Sequence, residues 1–277
     1  MGVNLHKSYY KDYFDGITFS YLTNDTQASE AVINKIKDQN KCLTNNSYSQ
    51  KDGSEWILKS EYEIINTCSP ENERFKLVVQ YPGLVTGVGI DHEAKITGEF
   101  KLGVHFDWTY GMPVVYGSSV KGVLRSAFIE KQKNGKIIKY DNYFLEEMTK
   151  RKWNQEEIKI LFDSIFEGKN SEGKNLSIYD RDIFFDAVIV APDSKGRILC
   201  SDSITPHGDN PLKNPIPITF LKIAPGCKLE FRFKLGRTKI GELEFKKEDK
   251  LELFKEILTT IGIGAKTNVG YGQLKTC

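Results

Sequence analysis

The sequence predicts an α+β fold in which helices cover one face of an antiparallel sheet. Several segments alternate apolar and polar side chains, as half-buried strands do. Others repeat apolar residues every three or four positions, which is typical of amphipathic helices. These elements follow in the order strand, strand, helix, several strands, helix, strand. A ferredoxin-like β-α-β-β-α-β core with hairpin and helical insertions satisfies that order.

Composition limits the classes of protein that fit. Hydrophobic residues make up 39% of the 277 residues and aromatic residues 12%, which is enough for a sizeable core and excludes disorder throughout. The net charge of +2 excludes a global basic field, so a nucleic-acid surface would be a local patch. Five cysteines without a CxxC spacing argue against a disulfide framework and a zinc site. No apolar run is long enough to span a membrane, so no membrane partner is expected. Together with the cysteine pattern, this predicts a reduced, cytoplasmic protein.

The chain divides into an extension and a main domain. Residues 1–72 are polar and weakly periodic, apart from one helical pattern in which Ala28, Val32 and Ile36 are four residues apart. We therefore predict a loop-rich, partly helical N-terminal extension over residues 1–72. The main domain is predicted over residues 73–277.

Strand patterns begin with Phe75–Tyr81, which Pro82 and Gly83 end. Ala94–Phe106 then alternates apolar and polar residues, which predicts a half-buried strand or hairpin arm. Further strands are predicted at Ile183–Ala191, with residues 197–205 as its partner, and in a hairpin that joins residues 218–223 to 228–235.

Helix patterns have recognisable ends. An apolar stripe runs from Ser118 to about Glu130, with Ser118 as the predicted N-cap. Asn154 and Glu157 form a predicted capping box for a second helix that Gly168 ends. The last helix is predicted from about Asp249 to the glycine-rich segment that starts at Gly262.

The start of the first main-domain helix is one candidate anion site. A helix N-terminus presents free N–H groups and the positive end of the helix dipole. Lys121 and Arg125 are four residues apart and share one face of this helix. With Ser118 and Ser119 they could bind a phosphate. The alternative is a solvated helix start whose basic residues point into water.

The glycine-rich segment Gly262–Gly272 is the second candidate. Glycines allow close backbone approach and consecutive N–H groups can form an anion nest. The predicted RNA-binding residues here are Gly262, Gly264, Ala265, Lys266, Thr267 and Asn268. A nucleotide-binding P-loop is excluded, because Ala265 rather than glycine precedes Lys266 and the segment leads from helix to strand. A glycine-rich turn without a ligand remains the alternative.

A basic stretch between Asn210 and Lys239 is the third candidate. It holds seven basic residues against one acidic residue, Glu230. Such a stretch could follow a phosphate backbone, although a charged strand face is more often simply solvated.

Catalytic signatures are weak. The four histidines lie far apart in the sequence, and no known hydrolase or metal-binding pattern is present. His92 is a candidate general base, yet a lone histidine is more often structural. We expect no catalytic residue, no metal and no cofactor.

Two motifs resemble the RAMP superfamily of CRISPR-associated RNA-binding proteins. Pro113-Val114-Val115-Tyr116-Gly117-Ser118-Ser119-Val120-Lys121-Gly122-Val123-Leu124-Arg125 is similar to the family's strand-to-helix signature P-x-[IVL]-x-G-S-S-[ILV]-K-G-x-[IL]-R. The segment Gly262–Gln273 looks like the family's glycine-rich loop. One departure is Val115-Tyr116, where the family more often has Ile-Pro. The element Thr86–His92 and the overall length are most similar to the sixth RAMP subunit of the type III-B (Cmr) effector complex.

The resemblance covers residues 75–277 and implies an RRM-like, ferredoxin-type fold. It further implies a non-catalytic subunit that binds guide RNA, contacts target RNA and assembles with other RAMP subunits in antiviral defence. A metal-independent endoribonuclease that processes CRISPR repeats is the alternative within the same fold. In a ferredoxin-like fold both motifs are expected near one sheet edge, where the Ser118 and Ser119 amides and the loop amides would face the same phosphates.

Overall fold

The structure, a computed structural model, describes residues 4–23, 26–45, 69–87, 92–205 and 217–277. Within these ranges the α-helices are α1 (Leu5–Tyr10), α2 (Ser20–Thr23), α3 (Glu30–Asn45), α4 (Gly117–Ser126), α5 (Tyr143–Thr149), α6 (Gln155–Phe162) and α7 (Lys247–Ile261). The strands are β1 (Arg74–Val79), β2 (Lys101–Leu102), β3 (His105–Phe106), β4 (Pro113–Val115), β5 (Ile129–Lys133), β6 (Lys136–Tyr140), β7 (Ile183–Phe184), β8 (Ala187–Ala191), β9 (Leu199–Ile204), β10 (Ile218–Ile223), β11 (Lys228–Lys234), β12 (Thr238–Ile240), β13 (Leu243–Phe245) and β14 (Leu274–Thr276). None of the helices in the described ranges is long and apolar enough to span a membrane.

The main sheet has the strand order β14-β1-β11-β8-β4-β3, and each neighbouring pair is antiparallel. Its core is β1, α4, β8, β11, α7 and β14 along the chain. Numbered one to four in sequence, the four core strands lie in the order four-one-three-two, which is the ferredoxin-like arrangement. The predicted α+β fold is therefore confirmed.

One face of the sheet is apolar and carries the core helices. Phe75 of β1 lies opposite Phe231 of β11, and Leu77 lies opposite Leu229. The ring of Phe254 in α7 is 5.2 Å from that of Phe233, centroid to centroid. Buried side chains of this size each stabilise the fold by about 1.5–3 kcal/mol. The opposite face of β1 and β11 carries charged residues, namely Arg74, Lys76, Lys228, Glu230 and Arg232.

The helix ends follow local capping rules. Asn154 accepts hydrogen bonds from the Glu156 and Glu157 amides, and Glu157 completes the predicted capping box. Gly168, with a φ of +65°, ends the irregular turn after α6. The last helix, α7, begins two residues earlier than predicted, at Lys247. Asp249 is its third residue, and its carboxylate accepts the Lys246 N–H.

A second sheet, with the order β2-β10-β9, corrects two strand pairings. Residues 197–205 do form a strand, β9, but its partner is β10 rather than β8. The predicted hairpin between residues 218–223 and 228–235 is wrong, because β10 belongs to the second sheet and β11 to the main one. The chain passes from one sheet to the other at Ala224–Gly226.

The alternating segment Ala94–Phe106 is also not one strand. Its even-numbered apolar side chains, Ala94, Ile96, Phe100, Leu102, Val104 and Phe106, are all buried, as the alternation indicated. However, β2 pairs with β10 and β3 pairs with β4, so the segment passes between the two sheets. Gly103 stands at the transition, where a Cβ atom would be 2.3 Å from the Leu221 carbonyl oxygen.

The N-terminal extension packs against this transition. The Tyr9 hydroxyl donates to the Phe100 carbonyl at 2.8 Å, and the Tyr21 hydroxyl donates to the Ala94 carbonyl at 2.6 Å. Leu5 and Ile36 are fully buried in the same apolar core as the main-domain strands. The described part of residues 1–72 is thus helical and shares one core with the main domain.

Candidate nucleic-acid interface

The glycine-rich loop folds onto the chain segment that follows β1. The Ala265 amide donates to the Val85 carbonyl at 2.7 Å, and the Gly272 amide donates to the Gly83 carbonyl at 2.8 Å. Across the base of the loop, the Ile263 amide donates to the Gly272 carbonyl at 2.9 Å. These three bonds fix the loop at the end of the sheet where β1 ends and β14 begins.

Two glycines are required by this packing. Gly264 has a φ of +94°, and a Cβ atom there would be 2.3 Å from the Val85 carbonyl oxygen. Gly272 has a φ of +73°, and its Cβ would be 1.8 Å from the Ile263 carbonyl oxygen. Only glycine combines a positive φ with so close a backbone approach.

The outer turn of the loop presents unused hydrogen-bond donors. Lys266 is in the left-handed conformation and leads into a single 3-10 turn, Thr267–Val269. Within the described part of the chain, the amides of Gly264, Lys266, Thr267 and Asn268 donate to no protein acceptor. Lys266 and Asn268 are exposed. Such a cluster of N–H groups beside an ammonium group is suited to binding an anion.

A charged network beneath the loop joins it to the second sheet. The Tyr271 hydroxyl donates to Asp202 Oδ2 at 2.7 Å, and the buried Lys222 ammonium group bonds to the same oxygen. Burial and the bond to Asp202 raise the pKa of Tyr271. Burial opposes ionisation of Asp202, but the hydrogen bonds from Lys222 and Tyr271 outweigh it and lower the Asp202 pKa. Lys222 is therefore a structural cation rather than a free one.

The start of α4 differs from the prediction. The helix begins at Gly117 with Tyr116 as its N-cap, and Ser118 does not cap it. The Gly117 amide donates to Asp186 Oδ1 at 2.6 Å, and the Ser119 amide donates to the Tyr116 carbonyl at 2.8 Å. The side chain of Asp186 thus already supplies an anion at this helix N-terminus.

Lys121 and Arg125 lie on one face of α4, as predicted, and both pack on aromatic rings. The Lys121 ammonium group is 5.8 Å from the centroid of the Phe184 ring. The Arg125 guanidinium group is 5.0 Å from the centroid of Phe162 and 3.5 Å from Glu167 Oε1. Both basic side chains are only partly exposed, so part of their charge is used within the protein.

A cavity of about 260 Å³ lies next to the start of α4, between β3, β4 and β8. Its lining is mostly apolar and includes two carboxylates, Asp107 and Asp186. Burial, followed by the charges of Asp186 and Asp107, raises the pKa of the nearby Tyr116 hydroxyl. This negative local field disfavours phosphate binding inside the cavity.

The two candidate anion sites lie at opposite ends of the sheet, which corrects the expectation that they share one edge. Leu274, which follows the loop, lies opposite Val79 at the end of β1. Val115, which precedes α4, lies opposite Ala187 at the level where β1 begins. Four strand spacings and four residues separate them, about 19 Å across the sheet and about 13 Å along it. The two sets of residues therefore cannot bind the same phosphate.

The basic stretch 210–239 does not form one surface. Lys222 bonds to Asp202, buried Arg232 bonds to Glu230 at 2.7 Å, and Arg237 is 3.7 Å from Glu244. Lys213 lies outside the described residues, as do residues 88–91 of the Thr86–His92 element. In the described part of the stretch, these three cations are paired and the basic residues are distributed over both sheets, so this part is not one continuous strip of unpaired cations.

His92 lies in an aromatic cluster made with the N-terminal extension. Its ring centroid is 4.1 Å from that of Tyr9, 4.6 Å from that of Phe14 and 5.5 Å from that of Tyr13. Both ring nitrogens are buried. Among the residues that the structure describes, no group of three histidine, cysteine or acidic side chains is placed to hold a metal ion.

One exposed aromatic residue beside the loop was not predicted as part of the site. The Tyr81 side chain, just after β1, is 86% exposed. In the sequence, Tyr81 is an aromatic residue before the Pro82–Gly83 turn, and it was counted as the last residue of a predicted strand. Its closeness to the glycine-rich loop depends on the pairing of β1 with β14, which connects residues far apart in the sequence.

Comparisons find solved structures that are similar to this chain, and the first of them shows the same fold. A chain of the type III-B Cmr-beta complex bound to cognate target RNA is 17% identical, with a TM-score of 0.54, and the match covers 97% of this chain and 84% of that one. Cmr6 from Pyrococcus furiosus is 22% identical, with a TM-score of 0.42 and coverage of 74% and 97%. A chain of a type IV-B CRISPR complex is 13% identical, with a TM-score of 0.41 and coverage of 73% and 88%.

Sequence comparison gives the family. No curated protein sequence matches the chain. The sequence profile described as the RAMP superfamily matches residues 76–275, which include β1, the α4 motif, the core strands and the glycine-rich loop. Because this match covers well over half of the sequence and the strand order is ferredoxin-like, the chain belongs to the RAMP superfamily.

Proposed function

We propose that this chain is a non-catalytic RNA-binding subunit of a type III-B CRISPR (Cmr) ribonucleoprotein effector complex. In this role it binds guide RNA and helps to hold target RNA in antiviral defence in the cytoplasm. Its partners would be the other RAMP subunits of the complex. Membership of the RAMP superfamily supports this proposal. So does the shared fold with a chain of the type III-B Cmr-beta complex bound to cognate target RNA.

The observation that carries the proposal is the outer turn of the glycine-rich loop. Within the described residues, its unused amides and the exposed Lys266 form a donor cluster for a phosphate. Backbone donors recognise phosphate regardless of the base attached to it. This matches a protein that must hold guide RNAs of many sequences.

The start of α4 is proposed as a second, weaker phosphate contact. Ser118, Lys121 and Arg125 retain exposed polar atoms there, but Asp186 reduces the positive potential. An RNA strand that touched both regions would have to cover about 23 Å. At 3.4 Å per stacked nucleotide, that corresponds to about seven nucleotides.

Assembly with partner subunits follows from the charge balance. A net charge of +2 gives weak electrostatic attraction to RNA at physiological salt. Trp108 and Ile178 are large side chains that are 79% and 69% exposed. We expect co-expression with RAMP subunits and guide RNA to yield one complex on size-exclusion chromatography. A chain that elutes as a lone monomer under all these conditions would contradict the proposal.

The competing function is a metal-independent endoribonuclease that processes CRISPR repeats, with His92 as general base. The buried ring nitrogens of His92 argue against it, because a general base must reach the hydroxyl group that it deprotonates. Incubating the purified chain with labelled repeat RNA in EDTA distinguishes the two. Cleavage that His92→Ala abolishes would favour the nuclease, and intact RNA favours the binding subunit.

A further inference from the structure

Tyr81 and the glycine-rich loop form a small surface that the phosphate-binding role does not explain. Tyr81 is 86% exposed and Val269, in the outer turn of the loop, is 64% exposed. Their sequence neighbours are close together, because a Cβ atom on Gly270 would lie 3.7 Å from Pro82 Cδ. The two apolar side chains thus flank a contact between two distant chain segments.

The loop holds this surface in a fixed position. The Gly272 amide bonds to the Gly83 carbonyl at 2.8 Å, two residues after Tyr81. The Tyr81 hydroxyl is also close enough to Tyr271 to add to the rise in the Tyr271 pKa, after burial and Asp202. An exposed aromatic ring therefore stands next to a turn that carries Lys266 and amides that donate to no acceptor among the described residues.

We propose that Tyr81 is a stacking platform for an unpaired RNA base whose neighbouring phosphate binds at the outer turn of the loop. The inference rests on the proposed function and extends it by naming the part of the RNA that is recognised. Aromatic side chains beside a cationic groove bind single-stranded RNA in this way, because every base has a flat π-face. The same surface would reject duplex RNA, whose bases are already stacked.

The test separates base stacking from phosphate binding by using two oligonucleotides of equal charge. One is a fluorescently labelled uridine octanucleotide, and the other has the same sugar–phosphate chain without bases. Binding of the full chain to each is measured by fluorescence anisotropy at low salt. The variants are Tyr81→Ala, Tyr81→Phe and Lys266→Gln.

Tyr179→Ala is the matched control. Tyr179 is 79% exposed, and its carbonyl accepts a hydrogen bond from Lys234 at the far end of β11. That places it at the opposite end of the strands from the loop. Both tyrosines are surface residues, so circular dichroism and thermal unfolding of either alanine variant should match the wild type.

Tyr81→Ala should weaken binding of the uridine oligonucleotide by about 5- to 100-fold, which is the usual range for one stacked base. It should leave binding of the base-free chain and the salt dependence unchanged, because no charge is lost. Tyr81→Phe should bind within about twofold of wild type, since the ring is retained. Tyr179→Ala should have no effect on either ligand.

Three results would overturn the inference. The first is unchanged binding of the uridine oligonucleotide by Tyr81→Ala. The second is an equal loss for both oligonucleotides, which would mean that Tyr81 acts on the phosphate site. The third is an equal loss with Tyr179→Ala. If Lys266→Gln weakens binding and Tyr81→Ala does not, only the stacking inference fails. If the wild type binds neither RNA, alone or with partner subunits, the proposed function fails with it.

Discussion

Lys250 of α7 and Asp182, just before β7, form an ion pair inside the protein, with 2.6 Å between Lys250 Nζ and Asp182 Oδ2. Their side chains are 1% and 2% exposed. The other oxygen of Asp182 accepts the Gly236 amide at 2.6 Å. Burial lowers the pKa of Lys250 and raises that of Asp182, so each charge depends on the other. The pair joins the first turn of α7 to the segment before β7, which the Gly236 amide in turn links to the segment after β11.

Replacement of Lys250 by methionine should therefore destabilise the fold strongly. Lys250→Met leaves the Asp182 carboxylate buried without its cation, and we expect a loss of about 3–5 kcal/mol in the free energy of unfolding. Urea denaturation at neutral pH measures it. The control is Lys139→Met, which breaks an exposed pair with Glu130 and should cost less than about 1 kcal/mol. Equal losses for the two substitutions would show that the buried pair contributes no more to the free energy of unfolding than the exposed pair does.

Acid should weaken the junction between the loop and the second sheet. The pKa of Asp202 is lower in the folded state than in the unfolded chain, so its contribution to stability is fully present above the ordinary carboxyl pKa of about 3.9. That contribution is lost as the pH falls through the lowered value. Asp202→Asn should reduce the free energy of unfolding at pH 7 by about 1–3 kcal/mol. The variant should also lose less stability than wild type between about pH 4 and 2.

Urea unfolding of both proteins at neutral and acid pH checks this expectation. Glu242→Gln, an exposed site, is the matched control and should behave as the wild type does. Parallel pH curves for Asp202→Asn and wild type would contradict the assigned role of Asp202.

A side chain at Gly264 should damage the loop through the backbone. Gly264→Val would place Cβ against the Val85 carbonyl and force a β-branched residue to a φ of +94°, which should cost more than about 1 kcal/mol of stability. RNA affinity should fall while the salt dependence stays unchanged, because no charge is removed. Gly122→Ala in α4 is the control, since a Cβ atom there meets nothing within 4 Å. It should stabilise the protein by about 0.5–1 kcal/mol and leave RNA affinity unaltered.

The two basic regions should respond differently to RNA length. Lys266→Gln should weaken binding of both a tetranucleotide and a longer strand of about sixteen nucleotides, and reduce the salt slope by about 0.7. Alanine at both Lys121 and Arg125 should weaken binding of the longer strand alone, about equally for all sequences. Anisotropy titrations at several salt concentrations measure both effects. If the double variant binds the longer strand as the wild type does, the RNA does not reach α4.

The sequence allowed the core order and the loop to be predicted, because both depend on local patterns. The pairing between strands was harder to predict from the sequence. β10 and β11 were predicted to form a hairpin because Ala224–Gly226 contains residues typical of turns, yet the two strands belong to different sheets. The true hairpin between β5 and β6 has a strong turn signal at Asn134-Gly135, yet no strand was predicted on either side of it.

The placement of the site shows the same limit. The direction of β4 decides at which end of the sheet α4 begins, and nothing within the α4 motif specifies that direction. Asp186, which bonds to the start of α4, lies beyond two intervening helices and a hairpin in the sequence. Its role follows only from the pairing of β8 with β4.

The strand order also determines when β1 can pair with its neighbours during synthesis on the ribosome. β1 emerges early, but both of its neighbours, β11 and β14, come from the last fifth of the chain. At about 5–20 residues per second, the 195 residues from Val79 to Leu274 take roughly 10–40 s to translate. Throughout this interval at least one edge of β1 lacks its native partner strand. A nascent chain of this topology therefore has a defined window in which chaperones, or premature contacts with other subunits, compete for β1.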